Sequence, residues 1–334
     1  MAPQGDAPLT GDAPLTPARR AQLIKQRALA LGFARAGVAD LMPTPHGDAL
    51  RQWLAGGMAA TMAYMERQAA RRTEPATILP GATRAVVVTR NYYSEDPPPA
   101  PGTGRVARYA RGRDYHRALR QPLTRLADYV RSLGDTETMA KAYCDAGPVP
   151  ERELAQRAGI GWVGKNTMVI DPRAGSFFFL AVILTNLDLA RDPPFEADRC
   201  GTCRRCLEAC PTGAFPEERV LDSRRCISYW TIEHRGPLDA EAAAMLGGWV
   251  FGCDICQQVC PWNVKFAEAA DDPTLQSDPS LARLDLSRLA EISDAEFERS
   301  FGHTALRRAG PEGLRRNARL VAKCGGARGY NPVG

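Results

Sequence analysis

Cys200-Gly-Thr-Cys203-Arg-Arg-Cys206-Leu-Glu-Ala-Cys210-Pro211 is the stretch on which the reading of this chain turns. It matches the bacterial ferredoxin run C-x2-C-x2-C-x3-C-P at every position. Three thiolates at that spacing wrap three corners of one cuboidal [4Fe–4S] cluster, and the fourth, carried onward by the turn, serves a neighbouring cluster. The run therefore predicts a second one. Cys253-x2-Cys256-x3-Cys260-Pro261 supplies its last three cysteines, with Gly252 before them and no cysteine at 250. Crossing the ligands gives cluster 1 as Cys200, Cys203, Cys206 and Cys260, and cluster 2 as Cys210, Cys253, Cys256 and one thiolate more. Cys144, Cys226 and Cys324 are the candidates for that place. Cys226, inside the cysteine-rich segment, is favoured, with Cys144 second. Thiolates in CxxC pairs also suit structural zinc, but CxxCxxCxxxCP has one cysteine too many for a zinc hook.

Outward from this segment the chain is ordinary. Its 334 residues, 44% hydrophobic and 24% charged, can bury one large core or two modest ones. A formal charge of +5 does not by itself announce nucleic acid or an anionic membrane. Eight thiolates holding two clusters of core charge about +2 each would bring it to about +1. The longest apolar run, 177–184, falls far short of the roughly 20 residues of a spanning helix, and no charged-then-apolar leader opens the chain. A cytoplasmic protein without membrane association is expected, and in a reducing cytosol ten cysteines point to metal or redox chemistry.

The hexapeptide GDAPLT occurs twice in tandem, so 1–16 reads as a disordered tail. Thr16-Pro17 begins an amphipathic helix that Gly32 stops. Strands are predicted at 85–89 and 177–184, and helices at about 115–132 and 150–158, giving an α/β or α+β layer over 17–190. Arg191-Asp-Pro-Pro194 marks a boundary. The region 191–268 reads as a small unit folded around metal rather than around an apolar core, and 280–323 is helical in pattern.

Two motifs need weighing. Gly159-Ile-Gly161-Trp-Val-Gly164-Lys165-Asn166 fits G-x-G-x-x-G and nearly fits a P-loop, but a helical pattern precedes it and Asn166 stands where a magnesium-binding hydroxyl is required. The glycines read instead as a tight loop after a helix, with backbone free to approach a ligand. The segment 105–131 carries eight arginines against Asp114 and Asp128, interleaved with Tyr109, Tyr115 and His116. That density suits either an RNA grip or a solvated helix face, and Arg307, Arg308, Arg315, Arg316 and Arg319 favour RNA. His46 and His303 read as surface residues.

Taken with Arg108-Tyr-Ala-Arg-Gly-Arg-Asp-Tyr-His116, Asp145-Ala-Gly-Pro148, the 151–166 segment ERELAQRAGIGWVGKN, Arg225-Cys-Ile-Ser-Tyr-Trp-Thr-Ile-Glu233 and Gly252-Cys-Asp-Ile-Cys-Gln-Gln-Val-Cys-Pro-Trp-Asn263, the chain resembles the epoxyqueuosine reductase family from about residue 20 to 320. The resemblance implies a cobalamin-dependent enzyme that removes the epoxide oxygen of epoxyqueuosine at the tRNA wobble position. The implied fold is α+β: a cobalamin-binding α/β domain (17–190) related to reductive dehalogenases, a two-cluster ferredoxin-like module (191–268) that reduces the cobalt, and a short helical C-terminal region (269–334), a truncated helical repeat.

The resemblance also makes Asp145 the proton donor, which suits a reaction whose leaving oxygen needs an acid beside it. By position it assigns corrin contacts to Arg72, Asp145, Lys165, Asn166, Val169, Leu180, Ser228 and Asp254, and tRNA contacts to His234 and Arg235. No histidine sits in an Asp-x-His-x-x-Gly context, in keeping with cobalt lacking a protein lower ligand, and Ala107 stands where some relatives carry a cysteine. An external electron donor and a monomer are expected. The alternatives are a two-cluster electron-transfer protein and a small-molecule reductive dehalogenase relative.

Overall fold

The computed structural model of the chain describes residues 14–273 and 275–324. The strand expected at 85–89 runs over Arg84–Asn91, between Arg35–Asp40 and Phe178–Thr185, with Ala140–Tyr143 beyond the latter. Every pairing in this four-stranded sheet is antiparallel, which resolves the layer as α+β. Both faces are covered. Val86 and Val88 face one core with Ala181 and Ile183, while Ala85 and Val87 face another with Val182 and Leu184. Side chains alternate faces along a strand, so burial on both sides produces the unbroken apolar run seen in the sequence. Helices Pro17–Ala30 and Arg120–Ser132 close the first core through Ile24, Leu123, Leu126 and Val130. Helix Glu151–Arg157 closes the second through Leu154 and Ala155.

Pro17 opens its helix, and Thr16 Oγ1 accepts the Arg19 N–H at 3.2 Å, a cap worth about 1 kcal/mol. Gly32 follows the helix at φ +85°. The tail expected over 1–16 thus gives up residues 14–16 to described structure, and the rest of it lies outside the described residues. The helix expected over 115–132 is two, Tyr115–Ala118 and Arg120–Ser132.

The region 191–268 departs from expectation. Rather than folding around metal alone, it contributes Ile227, Trp230, Trp249, Phe251 and Ile255 to an apolar core shared with Val106 and Ala110 upstream and Leu286, Phe297 and Leu314 downstream. Strand Thr103–Val106 pairs in parallel with Trp249–Phe251 and antiparallel with Arg283–Asp285, so one small sheet draws on all three expected domains. Boundaries at 190 and 268 therefore do not coincide with units of packing. Arg283–Asp285 lies within the stretch read as helical, because three residues are too few to show a period.

Helices Leu286–Glu291, Asp294–Phe301 and Gly310–Lys323 make up most of the rest. In the last, Leu314, Ala318 and Val321 share a buried face. Buried Asn317 donates to the Thr231 and Val250 carbonyls at 2.9 and 2.8 Å. Among the described residues no helix is long and apolar enough to cross a membrane.

Candidate active site and cysteine centres

Eight of the ten thiols gather in two adjoining groups, and none of the ten is in a disulfide. Burial, and then the neighbouring Cys260, Cys200 and Cys203, push the Cys206 thiol up to about 11. These four line one small cavity with Lys165, Asn166 and Trp262. Cys256 is raised by burial and then by Cys253, Cys226, Cys206 and Cys210, so the second group adjoins the first. Cys144 lies in the sheet core, where the charges acting on it are Glu151, Asp145 and Asp114. Cys324 donates weakly to the Ala243 carbonyl at 3.6 Å.

Each group comes with donors aimed at sulfur, which favour the thiolate. Trp162 Nε1 reaches Cys200 Sγ at 3.3 Å and the Ala214 N–H reaches Cys210 Sγ at 3.3 Å. Backbone N–H groups of Ser228 and Tyr229 serve Cys226, and those of Trp262 and Asn263 serve Cys260.

The glycine loop follows helix Glu151–Arg157 and enters a hairpin of Trp162–Val163 with Val169–Ile170, the reverse of a nucleotide-binding strand-to-helix turn. Its glycines are packed tightly against protein. A Cβ at Gly159 (φ +71°) would stand 2.7 Å from Pro193 O, and one at Gly161 would overlap Ile170 O. At these two positions protein backbone occupies the space a side chain would need.

Lys165 Nζ donates to Gly201 O at 2.7 Å and pairs with Glu218, and Asn166 Nδ2 donates to Cys256 O at 3.1 Å. The loop thus fastens the first region to both cysteine runs. Asn263 completes the seam: its Oδ1 accepts the Ser176 N–H at 2.6 Å, and its Nδ2 donates to Ser176 Oγ and Gln257 O.

Asp145 leaves strand Ala140–Tyr143 at φ +49°, in the left-handed region that a non-glycine residue enters only when held there. Its carboxyl accepts the Tyr115 hydroxyl, and its N–H donates to Glu151 Oε1 at 2.7 Å. Two residues on, Gly147 O accepts from Arg72 Nη2 at 3.3 Å. Tyr115 is itself clamped between Phe179 and His116, with ring centroids 4.4 and 4.1 Å away. Burial raises the Tyr64 phenol, and the charges of Glu233, Arg308, Asp145 and Arg72 all act on it, which gathers these groups around one exposed carboxyl.

The other expected site residues are dispersed around this centre. Val169 and half-buried Leu180 sit in the core layer beneath the sheet. Ser228 lies over Cys226, and buried Asp254 accepts from the Arg108 N–H at 2.8 Å and from its guanidinium. His234 contacts Pro237 O, and Arg235 is committed to Ile232 O and Arg308 O.

The arginine density also divides. Arg108 and Arg111 are buried and, with Arg105, surround Asp96, whereas Arg113, Arg117, Arg120, Arg125 and Arg131 are exposed. Arg307, Arg308, Arg315 and Arg319 pair with Glu298, Glu233, Asp294 and Glu291, and Arg316 binds backbone carbonyls of 230, 234 and 236. That set holds the C-terminal helices rather than standing free for RNA. His46 and His303 are exposed, as expected. Tyr115, Glu151 and Glu233 fall within the motifs quoted from the sequence but carry no role there, and Tyr64 falls in none; their places at the site come from the partners the fold gives them.

A family profile described as "Epoxyqueuosine reductase QueG, DUF1730" matches residues 72–146, and one for a 4Fe-4S double cluster binding domain matches 199–263. The epoxyqueuosine reductase of Gloeobacter violaceus is 44% identical over 91% of this chain and 96% of its own, and that of Pseudomonas aeruginosa 39% over 96% and 89%. Among solved structures, an epoxyqueuosine reductase with a tRNA-Tyr epoxyqueuosine-modified stem loop superposes with a TM-score of 0.83 at 31% identity, covering 91% of this chain and 81% of that one. One from Bacillus subtilis, with its catalytic aspartate loop swung out of the active site, gives 0.82 at 32%, with coverage of 91% and 81%. A catabolic reductive dehalogenase shares the fold at 18% identity and a TM-score of 0.52, covering 95% of this chain and 38% of that one. By its sequence, its double-cluster segment and its fold, this chain belongs to the epoxyqueuosine reductase family.

Proposed function

We propose that this chain reduces epoxyqueuosine to queuosine at the tRNA wobble position, using cobalamin beside Asp145 and electrons carried by two [4Fe–4S] clusters. The observation that carries the reading is the joining of two thiol quartets to an exposed, anchored carboxyl within one fold. Cys200, Cys203, Cys206 and Cys260 would bind one cluster, and Cys210, Cys226, Cys253 and Cys256 the other.

The residues also fit cobalamin. Arg72 Nε is buried without a partner beside the Asp145 loop, and a phosphate or carboxamide acceptor would pair it. Arg72, Asp145, Lys165, Asn166, Val169, Leu180, Ser228 and Asp254 are the positions proposed to hold the corrin. Lys165, Asn166 and Asp254 are buried with protein partners and would shape the site by holding the elements around it. Bound there, cobalamin supplies low-potential reducing chemistry that no side chain has.

Opening the epoxide to an alkene takes up two electrons and two protons and releases water. Asp145 presents its carboxyl to the departing oxygen, and the Tyr115 hydroxyl stabilises the carboxylate left after proton transfer. Exposed Arg113, Arg117, Arg120 and Arg125 offer phosphate contacts, and His234 with Arg235 frames the tRNA side. Acting on tRNA places the enzyme in the cytoplasm, with an external donor reducing the clusters. The test is Asp145→Asn, reconstituted with full iron and cobalamin and supplied with epoxyqueuosine-containing tRNA: nucleoside mass spectrometry should show the epoxide persisting. Wild-type turnover would overturn the assignment of the acid.

A further inference from the structure

The Asp145 loop is held on three sides, and one of the holds has no role in the proposed chemistry. Tyr115 touches the carboxyl itself. Arg72 reaches the loop two residues downstream at 3.3 Å. Glu151, at the start of helix Glu151–Arg157, touches neither carboxyl nor substrate side; its Oε1 accepts the Asp145 backbone N–H at 2.7 Å. That N–H belongs to a residue at φ +49°, and Gly147 beyond it stands at φ +99°, so the loop turns through two left-handed residues. A non-glycine residue there costs about 1–2 kcal/mol, and such a conformation persists only where the surroundings determine it.

We infer that Glu151 is a positioning residue, a latch whose carboxylate fixes the Asp145 loop against Tyr115 through the Asp145 amide. The inference rests on Asp145 being the acid. A charged acceptor serves this better than a neutral one, since hydrogen bonds to ionised groups are roughly twice as strong. The groups facing Glu151 are Asp145 from the loop, Arg72 from the helix Ala69–Thr73 and Arg152 on its own helix; Cys144 lies beside it. Burial, and then the Asp145 charge, push its carboxyl up to about 7. The latch is therefore closed when Glu151 is ionised and loosens as it takes up a proton.

Amide hydrogen exchange on the cluster-loaded protein without cobalamin reads the loop directly. After correction for intrinsic rates, exchange across 144–148 should accelerate about tenfold or more in Glu151→Ala. In the wild type it should rise as pH falls from about 8 to about 6. Glu151→Gln keeps a neutral acceptor oxygen and cannot titrate, so its exchange should lie between Glu151→Ala and the ionised wild type, near the wild-type level at about pH 6, with that pH dependence abolished. In turnover, Glu151→Ala should lower kcat with KM for the tRNA nearly unchanged, and Glu151→Gln should recover much of the loss. Wild-type exchange in Glu151→Ala, or an unaltered pH dependence in Glu151→Gln, would overturn the latch. Neither exchange result depends on Asp145 donating a proton, so failure of the latch and failure of the proposed acid are separately visible.

Discussion

Gly175 and Asn263 offer a thermodynamic test of how the cysteine runs are joined to the sheet domain. Asn263→Ala removes three hydrogen bonds and leaves the Ser176 N–H buried without its acceptor, while the Gln257 carbonyl keeps the Cys260 N–H at 3.1 Å. One orphaned donor at roughly 1–3 kcal/mol and two further bonds at about 1 kcal/mol each put the cost at about 4 kcal/mol. Gly175→Ala meets the same residue from the other side: at φ +72° its Cβ would overlap Asn263 Oδ1 and lie 3.1 Å from Asn263 Cα. The left-handed conformation adds about 1–2 kcal/mol, and eviction of the Asn263 amide forfeits the bonds already counted, for about 5 kcal/mol in all. Those bonds can be lost only once. The double variant should therefore cost about 5–6 kcal/mol rather than the 9 or so of independent sites, a coupling of about 3 kcal/mol. Anaerobic urea unfolding of the reconstituted protein, with midpoints compared at a common slope, measures it. Additivity within about 0.5 kcal/mol would refute the seam as described.

Two other predictions follow from the same structure. Cys226→Ser should lower bound iron from about eight to about four atoms per chain, while Cys144→Ala and Cys324→Ala leave it unchanged; iron and acid-labile sulfide analysis after anaerobic reconstitution decides this. Burial alone would raise the Asp96 carboxyl, but Arg108, Arg111 and Arg105 outweigh it and hold it below the usual carboxylate range. A depressed native pKa means the unfolded chain binds more protons, so this contribution is complete above about pH 4 and is lost as pH falls further. Asp96→Asn should accordingly flatten the acid limb of a stability-versus-pH curve while lowering stability at neutral pH.

What the sequence disclosed was set by how local each signal is. The cysteine runs, the Thr16-Pro17 helix start and the doubly buried strand around 85–89 are short-range patterns, and each stands where it was read. The shared core was not readable. Arg283–Asp285 is too short to show alternation, and its partner Thr103–Val106 lies far upstream. Arginine density was divisible only in the fold for a related reason: composition cannot separate a guanidinium buried on Asp96 from one exposed to solvent, yet Arg111 is 1% exposed while Arg113, two residues on, is exposed. Glu151 and Tyr115 acquire meaning only because the turn at Asp145 brings them to one residue from opposite sides.

The place of Cys226, the proposed eighth ligand, likewise depends on packing rather than on spacing. Cys226 is the N-cap of helix Ile227–Ile232, and Cys253 follows strand Trp249–Phe251, so their separation is fixed by whatever holds that helix to that strand. Thr231 does so: its Oγ1 accepts the Gly252 N–H at 2.9 Å and donates to Ile227 O at 2.8 Å. Asn317, from the C-terminal helix, bridges the Thr231 and Val250 carbonyls. Gly252 turns at φ +67° where a Cβ would stand 2.5 Å from that of Ala107, so a residue of the first region sets the approach of the strand end. A larger side chain at 107 would push against Gly252. The distance between two ligands of the proposed second cluster is thus determined jointly by residues 107, 231, 252 and 317, one from each outer expected domain and two from the middle one. A segment cut at 191 and 268 would keep all eight cysteines and lose both Ala107 and Asn317, the outer residues that fix how two of those cysteines face each other.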